Sequence, residues 1–417
     1  MIKKLNNTCM NEFDPDALDE VNAVKNIINS IKSSTKQEIL PISKSLGRVV
    51  SKNIRSTVDI PSFKNSAMDG YAINIKMLKI NKHILMEKGI SLAGRPYTKK
   101  LKGNETIKVM TGSVIPDNCD AVIMKEMVDI NGENICFPKN IKKDQNIRKI
   151  GEDVKKKSTI VKKGEVITHS HLGILSSCGI KRVPVIVKPI ISFFSTGDEL
   201  ISINSKLKKG MIYDSNRYIL HGLLEKLPVT IKDMGVVEDN EKSLIKKLKI
   251  CSKCSDIIIT TGGVSVGDAD YIKTALAKLG KIDFWKIAIK PGRPLAYGKI
   301  KKSYFFGLPG NPVSAVVTFQ LFVIAAINKL IGIKERKNIT IKAITNDDLS
   351  KKKGRVEYKR GYLIQKNNKS TVISSGLQGS NILSSLTKAN CYIRLEENIS
   401  RVKKGDEVTV LPFDIVI

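Results

Sequence analysis

The residues best suited to chemistry in this chain recur at the ends of short apolar runs. The fullest case is Asp256-Ile-Ile-Ile-Thr-Thr-Gly-Gly-Val-Ser-Val-Gly-Asp-Ala-Asp270. Ile257 to Ile259 reads as a buried strand, Gly262 and Gly263 follow two threonines, and a helical pattern begins near Tyr271. Strand, Gly-rich turn and helix start is an anion-seating arrangement. Glycines let backbone N–H groups approach a phosphate, and the helix N-terminus adds partial positive charge. Asp268 and Asp270 would repel a bare phosphate, so their presence suits a Mg²⁺ ion lying between. The alternative is a tight turn capped by one of the two aspartates.

Four further apolar runs end in polar loops: Ser195-Thr-Gly-Asp-Glu199, Glu238-Asp239, Lys290-Pro-Gly-Arg293 and Gly307-Leu-Pro-Gly-Asn311. In the last, Asn311 reads as a helix cap with Pro312 at the first turn. Ligands of open α/β sheets bind beyond the carboxyl ends of the strands. If these five loops share an edge, Glu199, Asp239 and Asp270 would face Lys286, Lys290 and Arg293, a mixture suited to a metal-bridged phosphoanhydride. An edge of satisfied caps and ion pairs is the other reading. Outside this region, Ile60-Pro-Ser-Phe-Lys-Asn-Ser-Ala-Met-Asp-Gly-Tyr-Ala-Ile73 is crowded with turn formers. Asp69-Gly70 there is equally readable as a hairpin turn or as a pocket-facing acid.

The elements that must position these residues divide the chain. Asp14-Pro15 reads as a helix start, followed by Leu18, Val21, Val24, Ile27, Ile28 and Ile31 at helical spacing. The pattern is all-β to about Arg148, and a helix follows around His169 to Cys178. Residues 184–333 alternate strand and helix, which predicts a mostly parallel, doubly wound sheet. Within it, Ile282 to Ile289 reads as one strand. Residues 334–417 return to short strands, a small barrel or sandwich. The predicted organisation is therefore an α/β multidomain chain. It has a discontinuous N-terminal mixed domain (12–57 and 150–183), an inserted β-rich domain (58–149), the central α/β domain and a C-terminal β-barrel-like domain.

Bulk composition narrows the function classes. A formal net charge of +31 raises the prospect of a polyanion partner. The excess is mostly Lys, scattered in ones, twos and threes, and aromatics are only 5%. Base stacking wants aromatic platforms and base reading wants Arg, so no nucleic-acid partner is expected. Seven cysteines with one Cys251-x-x-Cys254 pair and four scattered histidines complete no zinc pattern, which predicts reduced thiols in a cytoplasmic protein. The longest apolar stretch, Pro312 to Ile327, is broken by Ser314, Thr318 and Gln320 and falls short of the roughly 18–20 residues of a span, so no membrane role is expected.

Several motifs together resemble the molybdopterin molybdenumtransferases, a family similar to the C-terminal domain of gephyrin. Phe63-Lys-Asn-Ser-Ala-Met-Asp-Gly-Tyr-Ala72 is the most specific. Met110-Thr-Gly112, Gly151-Glu-Asp-Val154, Ser195 to Glu199, Asp256 to Tyr271, Lys290 to Pro294, Gly307 to Ser314 and Ser384-Ser-Leu-Thr-Lys-Ala-Asn390 follow in family order. The resemblance implies an elongated homodimer. It would receive adenylylated molybdopterin from a partner molybdopterin adenylyltransferase, cleave the phosphoanhydride with Mg²⁺, and place molybdate on the dithiolene. It also implies site residues by position: Asp69, Asp153, Glu199, Asp239, Asp270, Lys286, Lys290, Pro309, Pro312, Arg360 and Ser380.

Beside that, charge assigns roles. Asp239 and Asp270 would hold the metal, and Gly262, Gly263 and Ser265 would contact phosphate. Ser195, Thr196, Arg293 and Asn311 would line the ligand. Lys286 and Lys290 would stabilise charge on AMP or molybdate, and Asp69 would act through metal or water because molybdate is itself a dianion. Lys64 stands where the family usually carries an acid, and Arg293 where it carries Lys. An adenylyltransferase-like enzyme and a scaffold of gephyrin type are the competing readings. The signature and the flanking β domains argue against the first.

Overall fold

A computed structural model describes residues 14–263, 271–333 and 339–413. By contacts, residues 39–185 make one compact unit, and the described residues on either side make another. The first described helix, α1 (Glu20–Ser30), belongs to the second of these units, and the Asp19 side chain caps it by accepting from the Asn22 N–H. The sequence placed this start at Asp14. Instead, Asp14 opens a turn closed by the Ala17 N–H, and Leu18 is held in a β-bridge, its N–H donating to the Lys286 carbonyl and its carbonyl accepting from the Ala288 N–H.

Within residues 39–185 the main element is a six-stranded sheet. Its strands are β1 (Gly70–Ile73), β2 (Ile84–Ser91), β3 (Glu105–Val109), β4 (Ala121–Met124), β5 (Asp129–Asn131) and β6 (Asn134–Cys136), in the order β4-β1-β3-β2-β6-β5. Two apolar clusters cover it, one around Tyr71, Leu85 and Ile123 and the other around Ala72, Ile107 and Val122. Alternate residues of β1 thus serve opposite faces, as the pleat requires. The all-β reading missed a short helix over Ile75–Ile80. Asn74 caps it, accepting from the Met77 N–H. A separate core joins Val50, Ile54, Val161, Val183 and Val185 to Leu175 of α2 (His169–Ser177).

The other unit holds the α/β sheet. Its elements are β7 (Ile190–Thr196), α3 (Ser215–Glu225), β8 (Thr230–Val237), α4 (Glu241–Cys254), β9 (Ile257–Thr261), α5 (Tyr271–Leu279), β10 (Gly280–Lys286), β11 (Ile289–Lys290), β12 (Pro294–Ile300), β13 (Ser303–Leu308) and α6 (Pro312–Leu330). The sheet order is β8-β7-β9-β13-β12-β10. The first four strands are parallel; β12 pairs antiparallel with β13, and β10 pairs antiparallel with β12, which returns it to the direction of the first four. Strands β9 and β13 are buried along their whole length, as in a sheet covered on both faces. Leu244 and Leu248 of α4 and Leu276 of α5 pack on Phe194, Ile258 and Phe305, and the alternate residues Phe193, Ile259 and Phe306 are buried too. The predicted strand Ile282 to Ile289 is divided. β10 ends at Lys286, where the Ile287 N–H donates to the Arg293 carbonyl, and β11 leaves for the barrel.

α6 corrects the sequence reading of its own stretch. Pro312 to Leu330 is one continuous helix with a π-helical stretch at Phe319–Val323, so it is long and apolar enough to cross a membrane. It is instead largely a core element, with Val313, Val317, Phe322 and Ile327 fully buried. The chain ends in a closed five-stranded barrel: β14 (Ile341–Thr345), β15 (Val356–Lys366), β16 (Lys369–Ser374), β17 (Cys391–Leu395) and β18 (Glu407–Pro412). The order is β15-β16-β14-β18-β17, with β17 returning to β15 and β11 added outside β15. Val372, Cys391, Ile393 and Val410 fill it.

Candidate functional site

Strand register decides which loops share an edge. Ser195 of β7 lies opposite Thr261 of β9, Thr261 opposite Leu308 of β13, and Thr196 opposite Val237 of β8. The antiparallel pair keeps the same level, because Ala296 opposes Gly307 and Pro294 opposes Lys286. The loops after Thr196, Val237, Thr261, Lys286 and Leu308 therefore leave from one rim. Strand order then separates the charges that the sequence set face to face. Asp239 follows β8 at one edge and Lys286 ends β10 at the other, about five strand spacings or roughly 24 Å apart along a flat sheet. The rim runs from an acidic end, past glycines, to a basic end.

At the acidic end the Asp198 carboxylate accepts the Asp239 N–H at 3.0 Å. Glu199 is exposed, and its carbonyl accepts the Ile212 N–H at 2.8 Å. All three acids offer hard oxygen donors. Among the described residues, no three His, Cys, Asp or Glu side chains gather into a metal cage. Mg²⁺ needs only one or two carboxylates when phosphate oxygens complete its shell, so this donor type fits the ion. Asp270 and Ser265 lie outside the described residues.

In the middle, backbones approach closely. Gly262 has φ +88°, and a Cβ there would sit 2.4 Å from the Thr196 carbonyl oxygen. Its N–H donates to the Leu308 carbonyl at 3.3 Å. Ser195 and Thr196, read as ligand contacts, are instead buried. The Ser195 hydroxyl bonds that of Thr261 at 3.1 Å, and Thr196 reaches the Thr261 carbonyl at 3.5 Å. They shape the rim and do not line it. Asn216 donates to the Gly310 carbonyl at 2.7 Å. Its Oδ1, the Asp214 Oδ2 and the Thr260 Oγ1 are buried polar atoms without a hydrogen-bond partner. Pro309 is buried, Pro312 is half-buried, and Gly263 is half-buried beside Gly262. Asn311 precedes α6 but makes no side-chain cap; its amide donates to the Ser380 hydroxyl at 3.1 Å.

At the basic end the Asp14 carboxylate meets Lys286 at 3.2 Å and Arg293 at 2.5 Å. Burial raises the Asp14 pKa, but these cations and the Asp16 N–H outweigh it, leaving the carboxyl below its usual range. Lys290 pairs with the buried Glu357 at 3.5 Å, and Glu357 also holds Lys359 at 3.1 Å. Arg360 is not open to a ligand. Its guanidinium is buried, donating to the Ser385 hydroxyl and to the Gly379 carbonyl, each at 3.0 Å. Burial lowers its pKa. It orders the loop that carries Ser380.

Asp69 and Asp153 lie in the other unit, residues 39–185. Asp69 is not a hairpin turn. Its Oδ1 accepts the N–H and the hydroxyl of Thr111, both at 2.7 Å, and those bonds hold its pKa below the usual carboxylate range. Gly70 is fixed by packing: a Cβ would lie 1.9 Å from the Ile123 carbonyl oxygen across the β1–β4 ladder. Asp153 is exposed, and its N–H donates to the Ile60 carbonyl. Sequence reasoning missed Asp14, Asp198, Asn216 and Glu357. Asp198 stood beside Glu199 in a quoted motif, and Glu357 lay in a region read only as short strands. Asp14 carried only the local signal of a helix start, because its partners are more than 270 residues away.

Three family descriptions match this chain: MoeA N-terminal region (domain I and II) over residues 17–179, probable molybdopterin binding domain over 192–329, and MoeA C-terminal region (domain IV) over 342–413. A molybdopterin molybdenumtransferase of Haemophilus influenzae is 41% identical, covering 93% of this chain and 96% of that protein. Gephyrin of Dictyostelium discoideum is 33% identical, covering 93% of this chain but 61% of that protein. The crystal structure of a molybdopterin biosynthesis moeA protein from Pyrococcus horikoshii superposes with a TM-score of 0.83 at 31% identity, covering 95% of this chain and all of that one.

Proposed function

The chain belongs to the molybdopterin molybdenumtransferase (MoeA) family, whose members are transferases, and from that premise we propose that it makes molybdenum cofactor. In this reading, adenylylated molybdopterin arrives from a molybdopterin adenylyltransferase, its phosphoanhydride is cleaved with Mg²⁺, AMP leaves, and molybdate joins the dithiolene. The protein works as a cytoplasmic homodimer.

The observation that carries the reading is the charge-graded rim. Asp239, and Asp270 after the glycine turn, would hold Mg²⁺, which supplies positive charge to the phosphoanhydride oxygens. Asp198 orients Asp239 through its backbone N–H. The backbone N–H of Gly263 would receive the phosphate, while that of Gly262 is held by the Leu308 carbonyl. Lys286, Lys290 and Arg293 stand at the far end, with molybdate as their natural anion. Ser380, ordered by Arg360 and bonded to Asn311, offers a hydroxyl from the barrel side. Asp69 is repelled by molybdate and acts through water or metal; Thr111 keeps it ionised and oriented.

The test is direct. Purified protein is incubated with adenylylated molybdopterin, Mg²⁺ and molybdate, and AMP is followed by chromatography. AMP should appear, and Asp239→Asn and Asp270→Asn should each lower its rate at least about 100-fold, the scale of losing one charge-stabilising group. No AMP from the unaltered protein overturns the reading. Unchanged AMP release by Asp270→Asn removes that residue from the metal site.

A further inference from the structure

Asp14 has no place in the proposed reaction, yet it sits on two of the cations assigned to molybdate. Its side chain is 15% exposed, against 35% for Lys286 and 17% for Arg293. The carboxylate is divided between two tasks. Oδ1 accepts the Asp16 N–H at 3.1 Å, closing a turn with Ala17, whose N–H donates to the Asp14 carbonyl at 3.0 Å. Oδ2 alone receives both Lys286 and Arg293. The segment is seated independently of the ion pair, through the two backbone bonds of Leu18 to Lys286 and Ala288.

We propose that Asp14 is an internal anion, exchanged for the ligand's oxyanion on Lys286 and Arg293, and that it sets the affinity of this end of the rim for oxyanions. Lys286 and Arg293 each bring a positive charge to Oδ2. An incoming oxyanion is therefore attracted, but it takes both cations only by displacing a tethered competitor. A tethered group acts at an effective concentration in the millimolar range or above. Every oxyanion that takes this place displaces the same carboxylate, so Asp14 weakens all of them by one factor, and the preference for a dianion such as molybdate is left to the two cations. The inference deepens the proposed function, on which it rests for the identity of the ligand.

The experiment is calorimetric titration of the full chain with molybdate, with inorganic phosphate and with the monoanion perchlorate, at fixed ionic strength. Asp14→Asn, which keeps shape and removes charge, should bind molybdate about fivefold tighter or more, the factor matching about 1 kcal/mol of lost competition. Perchlorate should tighten by the same factor, because both anions displace the same carboxylate. Asp14→Glu, which keeps the charge, should stay near the unaltered protein, and circular dichroism checks that each variant is folded. Molybdate binding that is unchanged or weaker in Asp14→Asn, but lost in Lys286→Ala, overturns the inference and makes Asp14 a brace for the lysine. Binding that survives Lys286→Ala unchanged overturns instead the placement of molybdate at this end of the rim.

Discussion

Replacing Gly262 by alanine tests whether close backbone approach builds the rim. The substitution carries two costs. The residue has φ +88°, where an L side chain costs about 1–2 kcal/mol. The new Cβ would lie 2.4 Å from the Thr196 carbonyl oxygen, and backbone cannot swing aside as a side chain can. Relieving that contact requires β7 and β9 to part at their carboxyl ends, an overpacking cost of about 1–3 kcal/mol. Together they predict roughly 2–5 kcal/mol. At about 2–4 °C per kcal/mol for a unit of this size, the melting temperature falls by roughly 4–20 °C. Gly310→Ala is the control: its Cβ would meet nothing nearer than Gly262 Cα at 3.6 Å, an ordinary contact, and should cost under about 1 kcal/mol. Differential scanning calorimetry of both variants, with AMP release measured below the transition, separates them. Equal melting temperatures for the two would refute the argument that Gly262 is required by backbone proximity.

Other consequences are tested separately. Glu357→Gln leaves the nearly buried Lys359 without its counter-charge and frees Lys290, so thermal unfolding should show a loss of about 3–5 kcal/mol, mostly recovered when Lys359→Met is added. Because Asp69 is depressed, its Thr111 bonds stabilise the fold above the unfolded carboxyl value near 3.9 and are lost only as pH falls through the lower folded value. NMR titration should therefore find Asp69 still ionised at about pH 4, and Thr111→Val should move it back toward the usual range. Burial pushes the Cys119 thiol up to about 12 and those of Cys251 and Cys391 to about 11. At pH 8, mass-resolved alkylation of the native protein should spare these three and modify the half-buried Cys136 faster.

Local pattern determined a good deal. A short β-branched apolar run marked β9, because a strand buried on both faces is apolar at every position. The helix α5 was legible from its spacing, and the polar loops after β7, β8, β9 and β13 were legible as strand ends. So was the family, because its motifs are short, local and in fixed order. Tertiary structure decided the rest. Strand order placed Asp239 and Lys286 at opposite edges of one rim, although the sequence set their charges opposite each other. Burial turned Ser195, Thr196 and Arg360 inward, and only packing shows which hydroxyl or guanidinium is already engaged. Asp14 looked like a helix cap until its true partners, Lys286 and Arg293, were seen across the sheet. Periodicity is a property of neighbours in the chain. Which charges meet depends on contacts between residues hundreds of positions apart, and no local pattern encodes those.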